Sequence, residues 1–136
     1  MRTVVLDNEA VQALTDPTHA KHRTVVAHLA GVVARRRRGT VVDAVVPTTV
    51  RVEAGWDRTT PGAAAINRFR LRDHVLDAPA ANLAASIQGR CGLGPADAHV
   101  GATVRSVSSG DVVVLTSDPT DIAFVCTPST PQIVRI

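Results

Sequence analysis

The feature that most constrains this chain is a set of short valine-rich runs with no in/out alternation. Val4-Val5-Leu6, Ala44-Val45-Val46 within the stretch from Thr40 to Val46, and Val112-Val113-Val114-Leu115 are apolar at consecutive positions. Successive side chains of a strand point to opposite faces, so a strand with one wet face alternates apolar and polar residues. A strand apolar at consecutive positions is covered on both faces, as in parallel sheets. Stretches of helical periodicity lie between these runs. The chain therefore reads as α/β, a three-layer α/β/α arrangement with a central parallel sheet of four to five strands.

The first strand runs from Arg2 to Leu6 and a short helix from Asn8 to Leu14, stopped by Thr15-Asp16-Pro17. A longer helix is expected from about Thr18 to Arg38, with His22, Val25, Val26, Leu29, Val32 and Val33 in one stripe and Gly39 just beyond its end. After the Thr40–Val46 strand, Pro47-Thr48-Thr49 opens a helix that carries Glu53 and reaches Asp57, broken by Thr59-Thr60-Pro61-Gly62. Ala63 to Arg70 forms another helix, and Leu71 to Leu76 a weakly apolar strand near an edge. Helices follow over Ala80 to Arg90 and Ala96 to Ser106, with Pro95 at a first helical position. Ser108 to Asp111 reads as a turn, Val112 to Leu115 as a strand, Thr120 to Phe124 as one helical turn, and Ile133 to Ile136 as a last strand. No repeat or linker divides residues 1–136, which fit one domain with one core.

Composition narrows the function. Apolar residues make up 45% of the chain, yet there are two Phe, one Trp and no Tyr, so stacking platforms for bases are scarce. The net charge is +3, and 14 of the 15 basic residues are Arg, a side chain suited to bidentate contact with phosphate. Cys91 and Cys126 stand alone, without metal-site spacing, and read as reduced thiols. The apolar run in MRTVVLDNEA is too short for a signal peptide and no stretch is long enough to span a membrane, so a cytoplasmic, soluble chain is expected.

Four acids punctuate the apolar segments: Asp7 closes the first, Glu53 follows the second, Asp97 opens the helix after Gly94-Pro95, and Asp118 follows the run Val112 to Leu115. In an open parallel sheet, ligands bind beyond the carboxyl ends of the strands. All four acids fall at that edge. Converging carboxylates repel unless a cation lies between them, and hard divalent ions prefer such oxygen donors.

These segments resemble a known family. "VVLDNEAVQAL", "VPTTVRVEAGW", "GPADAHVGATV" and "VVVLTSDPTDI" are similar, in order and spacing, to the motifs of PIN-domain ribonucleases, and among them to VapC-type toxins of type II toxin–antitoxin systems. The resemblance spans essentially the whole chain. It implies a PIN fold, a Mg2+ or Mn2+ site built from Asp7, Glu53, Asp97 and Asp118, and endonucleolytic cleavage of RNA. It also implies a cognate VapB-type antitoxin and a homodimer. Two points depart from the pattern: Asn8-Glu9 stand where a small hydroxyl residue is often found, and Asp121 competes with Asp118 as the fourth acid.

On this reading Asp7 and Asp97 contact the ion directly, Glu53 acts through water, and Asp118 binds a second ion or orders water. Thr116, Ser117, Arg51 and Arg58 are candidate contacts to carboxylates or substrate. A helix rich in apolar residues would bury Glu53, and burial without a partner is costly. Asp97 also fits a plain first-turn acid, and Asp118 a helix cap. The run Arg35 to Arg38 ends a helix at the edge opposite the acids and suits a helix C-terminus. Trp56 reads as core or dimer packing before base stacking. His99 is the one histidine near the acids in sequence.

The alternatives are a catalytically silent PIN domain that binds RNA or protein, and a phosphate-accepting receiver domain. The receiver reading needs a lysine at the last strand, and the only lysine is Lys21.

Overall fold

The computed structural model describes residues 1–107 and 110–136. The expected turn at Ser108 to Asp111 lies partly outside the described residues. Five parallel strands form one sheet: β1 (Arg2–Leu6), β2 (Val42–Pro47), β3 (Arg72–His74), β4 (Asp111–Thr116) and β5 (Gln132–Arg135), in the order β3-β2-β1-β4-β5. The helices are α1 (Asn8–Thr15), α2 (His22–Arg37), α3 (Thr48–Ala54), α4 (Ala64–Asn67, after a 3-10 turn at Pro61–Ala63), α5 (Ala78–Cys91), α6 (Pro95–Ser106) and α7 (Pro119–Cys126). The arrangement is the PIN-like α/β fold expected from the sequence.

The strand order explains the layers. The chain steps one way from β1 to β2 to β3, then crosses back to β4 and β5. Right-handed crossovers send α1 and α2 to one face of the sheet and α5 to α7 to the other, while α3 lies against both α1 and α6. Val5, Leu6, Val45, Val46, Val114 and Leu115 are buried in the middle as a result. Gly101 allows α6 to lie tight against α7: a Cβ there would run into the backbone carbonyl of Val125.

Local chemistry accounts for the shifts from the expected boundaries. The second helix starts at His22 rather than Thr18, because Asp16 Oδ1 accepts hydrogen bonds from the Thr18 amide (2.9 Å) and hydroxyl (2.7 Å) and holds a turn there. Its buried stripe narrows to Val25, Leu29 and Val32. The third helix ends at Ala54, short of Asp57, because Gly55 takes a left-handed conformation (φ +69°) that stops it. The expected helix from Ala63 to Arg70 shrinks to the 3-10 turn and the single turn α4. The last helix extends instead, to the eight residues of α7, with Asp118 as its N-cap.

Candidate functional site

Strands β1, β2 and β4 run parallel in close register, Leu6 pairing with Leu115 and Val5 with Val45. Their carboxyl ends therefore share one edge of the sheet. Asp7 follows β1 directly, and its amide donates to the Leu115 carbonyl at 3.2 Å. Its side chain also caps α1, accepting from the Ala10 amide at 2.9 Å. Asp7 is only 6% exposed. Burial pushes its carboxyl up to about 6, opposed by hydrogen bonds from the Thr116 hydroxyl and the Ala10 amide and reinforced by Asp97 and Glu9.

Asp97 stands in the first turn of α6, half-buried. Its carboxyl is raised by burial, then by the charges of Glu53, Asp121 and Asp118. It also helps to raise Asp7. Asp97 is thus the hub through which carboxylates from α1, α3, α6 and α7 feel one another.

Glu53 differs from expectation: it is exposed, as is Val52 beside it. The short α3 turns this part of its surface to solvent, so no burial cost is incurred. The carboxylate is held instead by Asn8, whose Nδ2 donates to Glu53 Oε1 at 3.3 Å. Asp118 is exposed, and it caps α7 by accepting from the Asp121 amide at 3.3 Å. Asp121 is raised by desolvation and by its contact with Asp118. Both face Asp97, and Asp121 exerts the larger effect on it.

The remaining seven acids are each satisfied elsewhere. Asp43 pairs with Arg72, Asp73 with Arg51 and Arg58, Asp111 with Arg2, and Glu9 with His19. Asp16 and Asp57 hold turns, accepting from Thr18 and Thr59, and Asp77 caps α5. Among the described residues no ion pair reaches Asp7, Glu53, Asp97, Asp118 or Asp121. Eight acids make no ion pair among the described residues: the five that share the sheet edge, and Asp16, Asp57 and Asp77, which hold turns or a cap.

That donor set fits a hard divalent ion in chemistry: oxygen only, mutually repelling, beside helix N-termini and free of arginine. The side chains do not close on one point, however. Among the described residues no three His, Cys, Asp or Glu side chains stand near enough together to hold an ion. Side-chain rotation by the more exposed acids would be needed to bring three of them onto one ion.

The other candidates fall into place around this edge. Thr116, fully buried, faces Asp7 and accepts from the Asp118 amide at 2.9 Å. Ser117 is half-buried next to it. Arg51 and Arg58 are committed elsewhere: both grip Asp73, at 2.7 and 2.8 Å, and both lie over the buried Trp56 ring, at 5.4 and 4.3 Å. Arg36 ties the end of α2 to the Val42 carbonyl (3.0 Å) and the Phe69 carbonyl (2.7 Å), at the sheet edge away from the acids. Cys126 is buried, its thiol pushed up to about 12 by burial.

His99 turns inward rather than toward the acids. It is fully buried, with Nδ1 2.8 Å from the Thr49 hydroxyl and Nε2 3.1 Å from His74 Nδ1. Burial, then the neighbouring His74, holds it down to about 4. The sequence carries no spacing signal for this pair or for the Asn8–Glu53 contact, since each joins residues far apart in the chain.

No family model and no curated sequence matches the chain. A solved structure does: a chain of FitAB bound to an IR36 DNA fragment is similar over 97% of this chain and 94% of its own, with a TM-score of 0.57 and 16% identity. The likeness is one of fold. Among the described residues no helix is long and apolar enough to cross a membrane.

Proposed function

We propose that the protein is a Mg2+- or Mn2+-dependent endoribonuclease, the toxin of a VapBC-type toxin–antitoxin module. The observation that supports it most is the electrostatic link at Asp97: its carboxyl is raised by the charges of Glu53, Asp121 and Asp118 and in turn raises Asp7, and none of these five has an ion-pair partner among the described residues. The segments that resemble PIN-domain toxins are the ones that deliver them. The fold shared with a chain of the DNA-bound FitAB complex agrees with the reading, since a toxin paired with a DNA-binding antitoxin forms an assembly of that kind.

Asp7 and Asp97 would hold the ion directly, with Asp121 or Asp118 completing the set. A bound divalent ion stabilises charge on the scissile phosphate and lowers the pKa of water. The chain's own residues do the rest. The Ala10 amide donates to Asp7 Oδ1 and holds its orientation, and the Thr116 hydroxyl favours its charged form. Asn8 holds Glu53 at the open rim, where its carboxylate orients the attacking water and takes its proton. The amide ends of α1, α6 and α7 offset negative charge that builds at the edge.

The test is incubation of the purified protein, freed of antitoxin, with structured RNAs. Cleavage is expected with Mg2+, giving 5′-phosphate and 3′-hydroxyl ends, and it should vanish with EDTA or in Asp7→Ala. Cleavage that survives either change sinks the mechanism. No cleavage of any RNA favours a silent PIN domain that acts by binding.

A further inference from the structure

Glu53 and Asp97 belong to different helices, and their separation depends on how α3 sits against α6. One hydrogen-bonded chain joins those helices. Thr49, in the first turn of α3, meets His99 of α6 with its hydroxyl (2.8 Å) and its amide (3.4 Å), both at Nδ1. His99 Nε2 lies 3.1 Å from Nδ1 of His74, the last residue of β3. His74 Nε2 lies 2.9 Å from the Ser106 hydroxyl, on the last turn of α6.

The protons in this chain can be placed one after another. A serine hydroxyl has a single proton, and that of Ser106 goes to the Thr103 carbonyl at 2.8 Å. Ser106 Oγ therefore accepts, and His74 Nε2 carries hydrogen. A neutral imidazole has one donor and one acceptor nitrogen, so His74 Nδ1 is bare. His99 Nε2–H then donates to it, which leaves His99 Nδ1 bare as well. That nitrogen accepts from both the hydroxyl and the amide of Thr49. The Thr103 proton serves the nearer His99 carbonyl, at 2.8 Å, against 3.0 Å to His74 Nδ1. Every donor runs in one direction, from Thr49 through both rings to the end of α6.

We infer that Thr49, His99 and His74 form a brace that sets the distance between the Glu53 and Asp97 carboxylates, with His99 Nδ1 as the acceptor that docks α3 onto α6. The inference rests on the metal-site reading above and assigns these three as positioning residues. None of them touches the ion or the RNA. The burial of His99 fits the role: an imidazole inside a core is costly unless both nitrogens are paired, and here both are.

The test uses two pairs of substitutions in the full chain and reads Mn2+ affinity by electron paramagnetic resonance, with thermal stability measured alongside. Thr49→Val removes the hydroxyl at equal volume and should weaken Mn2+ binding roughly 10-fold, at the low end for residues that orient ligands. Thr49→Ser should restore it. Asn carries its side-chain oxygen near the position of Nδ1, so His99→Asn should keep more affinity than His99→Gln, even where His99→Gln is the more stable protein. A merely structural histidine would rank affinity by stability. Independently, 15N spectra of the side chains should show both rings neutral and protonated at Nε2. Protonation of His99 at Nδ1, or equal Mn2+ affinity in wild type and Thr49→Val, overturns the brace alone. Failure of the wild type to bind Mn2+ overturns the metal-site reading, and the brace with it.

Discussion

Thr116 stands one rung beyond the Leu6–Leu115 pair, and its hydroxyl opposes the upward push of burial on Asp7, the most buried acid at the sheet edge. Where related motifs place a hydroxyl soon after the first acid, this chain has Asn8 and Glu9. The hydroxyl comes instead from the neighbouring strand, and Asn8 is free to hold Glu53 at 3.3 Å.

Asp7 should make stability depend on pH. Its carboxyl rises from 3.8 to about 6 on folding, so the folded state binds its proton more tightly than the unfolded chain. The sign follows: the contribution is fully present below about pH 4 and is lost as pH rises through about 6. Asp7→Asn keeps the cap on α1 and cannot ionise. Without metal, it should be more stable than wild type by roughly 2–3 kcal/mol near pH 8, with no difference near pH 3.5. Urea unfolding at the two pH values measures this; a variant less stable at the higher value contradicts it.

Asn8→Ala should separate positioning from stability. Asn8 is half-exposed and its contact to Glu53 is at the surface, so unfolding free energy should change by less than about 0.5 kcal/mol. RNA cleavage should fall on the order of 10-fold, because Glu53 loses its only hydrogen-bonded support among the described residues. A rate equal to wild type would show that Glu53 needs no orientation.

The arginine run divides by contact. Arg36 donates to two backbone carbonyls, and Arg36→Ala should cost roughly 1–2 kcal/mol by leaving the Val42 and Phe69 carbonyls short of a donor. Arg35→Ala, Arg37→Ala and Arg38→Ala should each stay within about 0.5 kcal/mol of wild type. None of the four should alter RNA cleavage. Loss of cleavage in any of the last three would place RNA on the opposite edge of the sheet.

Much of the fold is legible in the sequence because consecutive valines leave few options. A strand such as Val112 to Leu115 must be covered on both faces, and the helices between strands supply the cover. Asp7 is legible for the same reason, since an acid that closes a buried strand has nowhere else to go. Glu53 misleads: its helix looks apolar, but α3 is only seven residues long and leaves that surface open. Arg51 and Arg58 also looked free, because nothing in their spacing shows that Asp73, on the edge strand, binds both. The His74–His99 pair depends on the packing of β3 against α6, which no local pattern encodes.

Asp97, in the proposed site, gathers these carboxylates for a divalent ion. Mn2+ titration of metal-free wild type and Asp97→Asn, followed by electron paramagnetic resonance, tests it most directly. The wild type should bind, and Asp97→Asn should bind at least about 10-fold more weakly, as the loss of a ligand requires. No binding by wild type, or equal binding by both, would contradict the account.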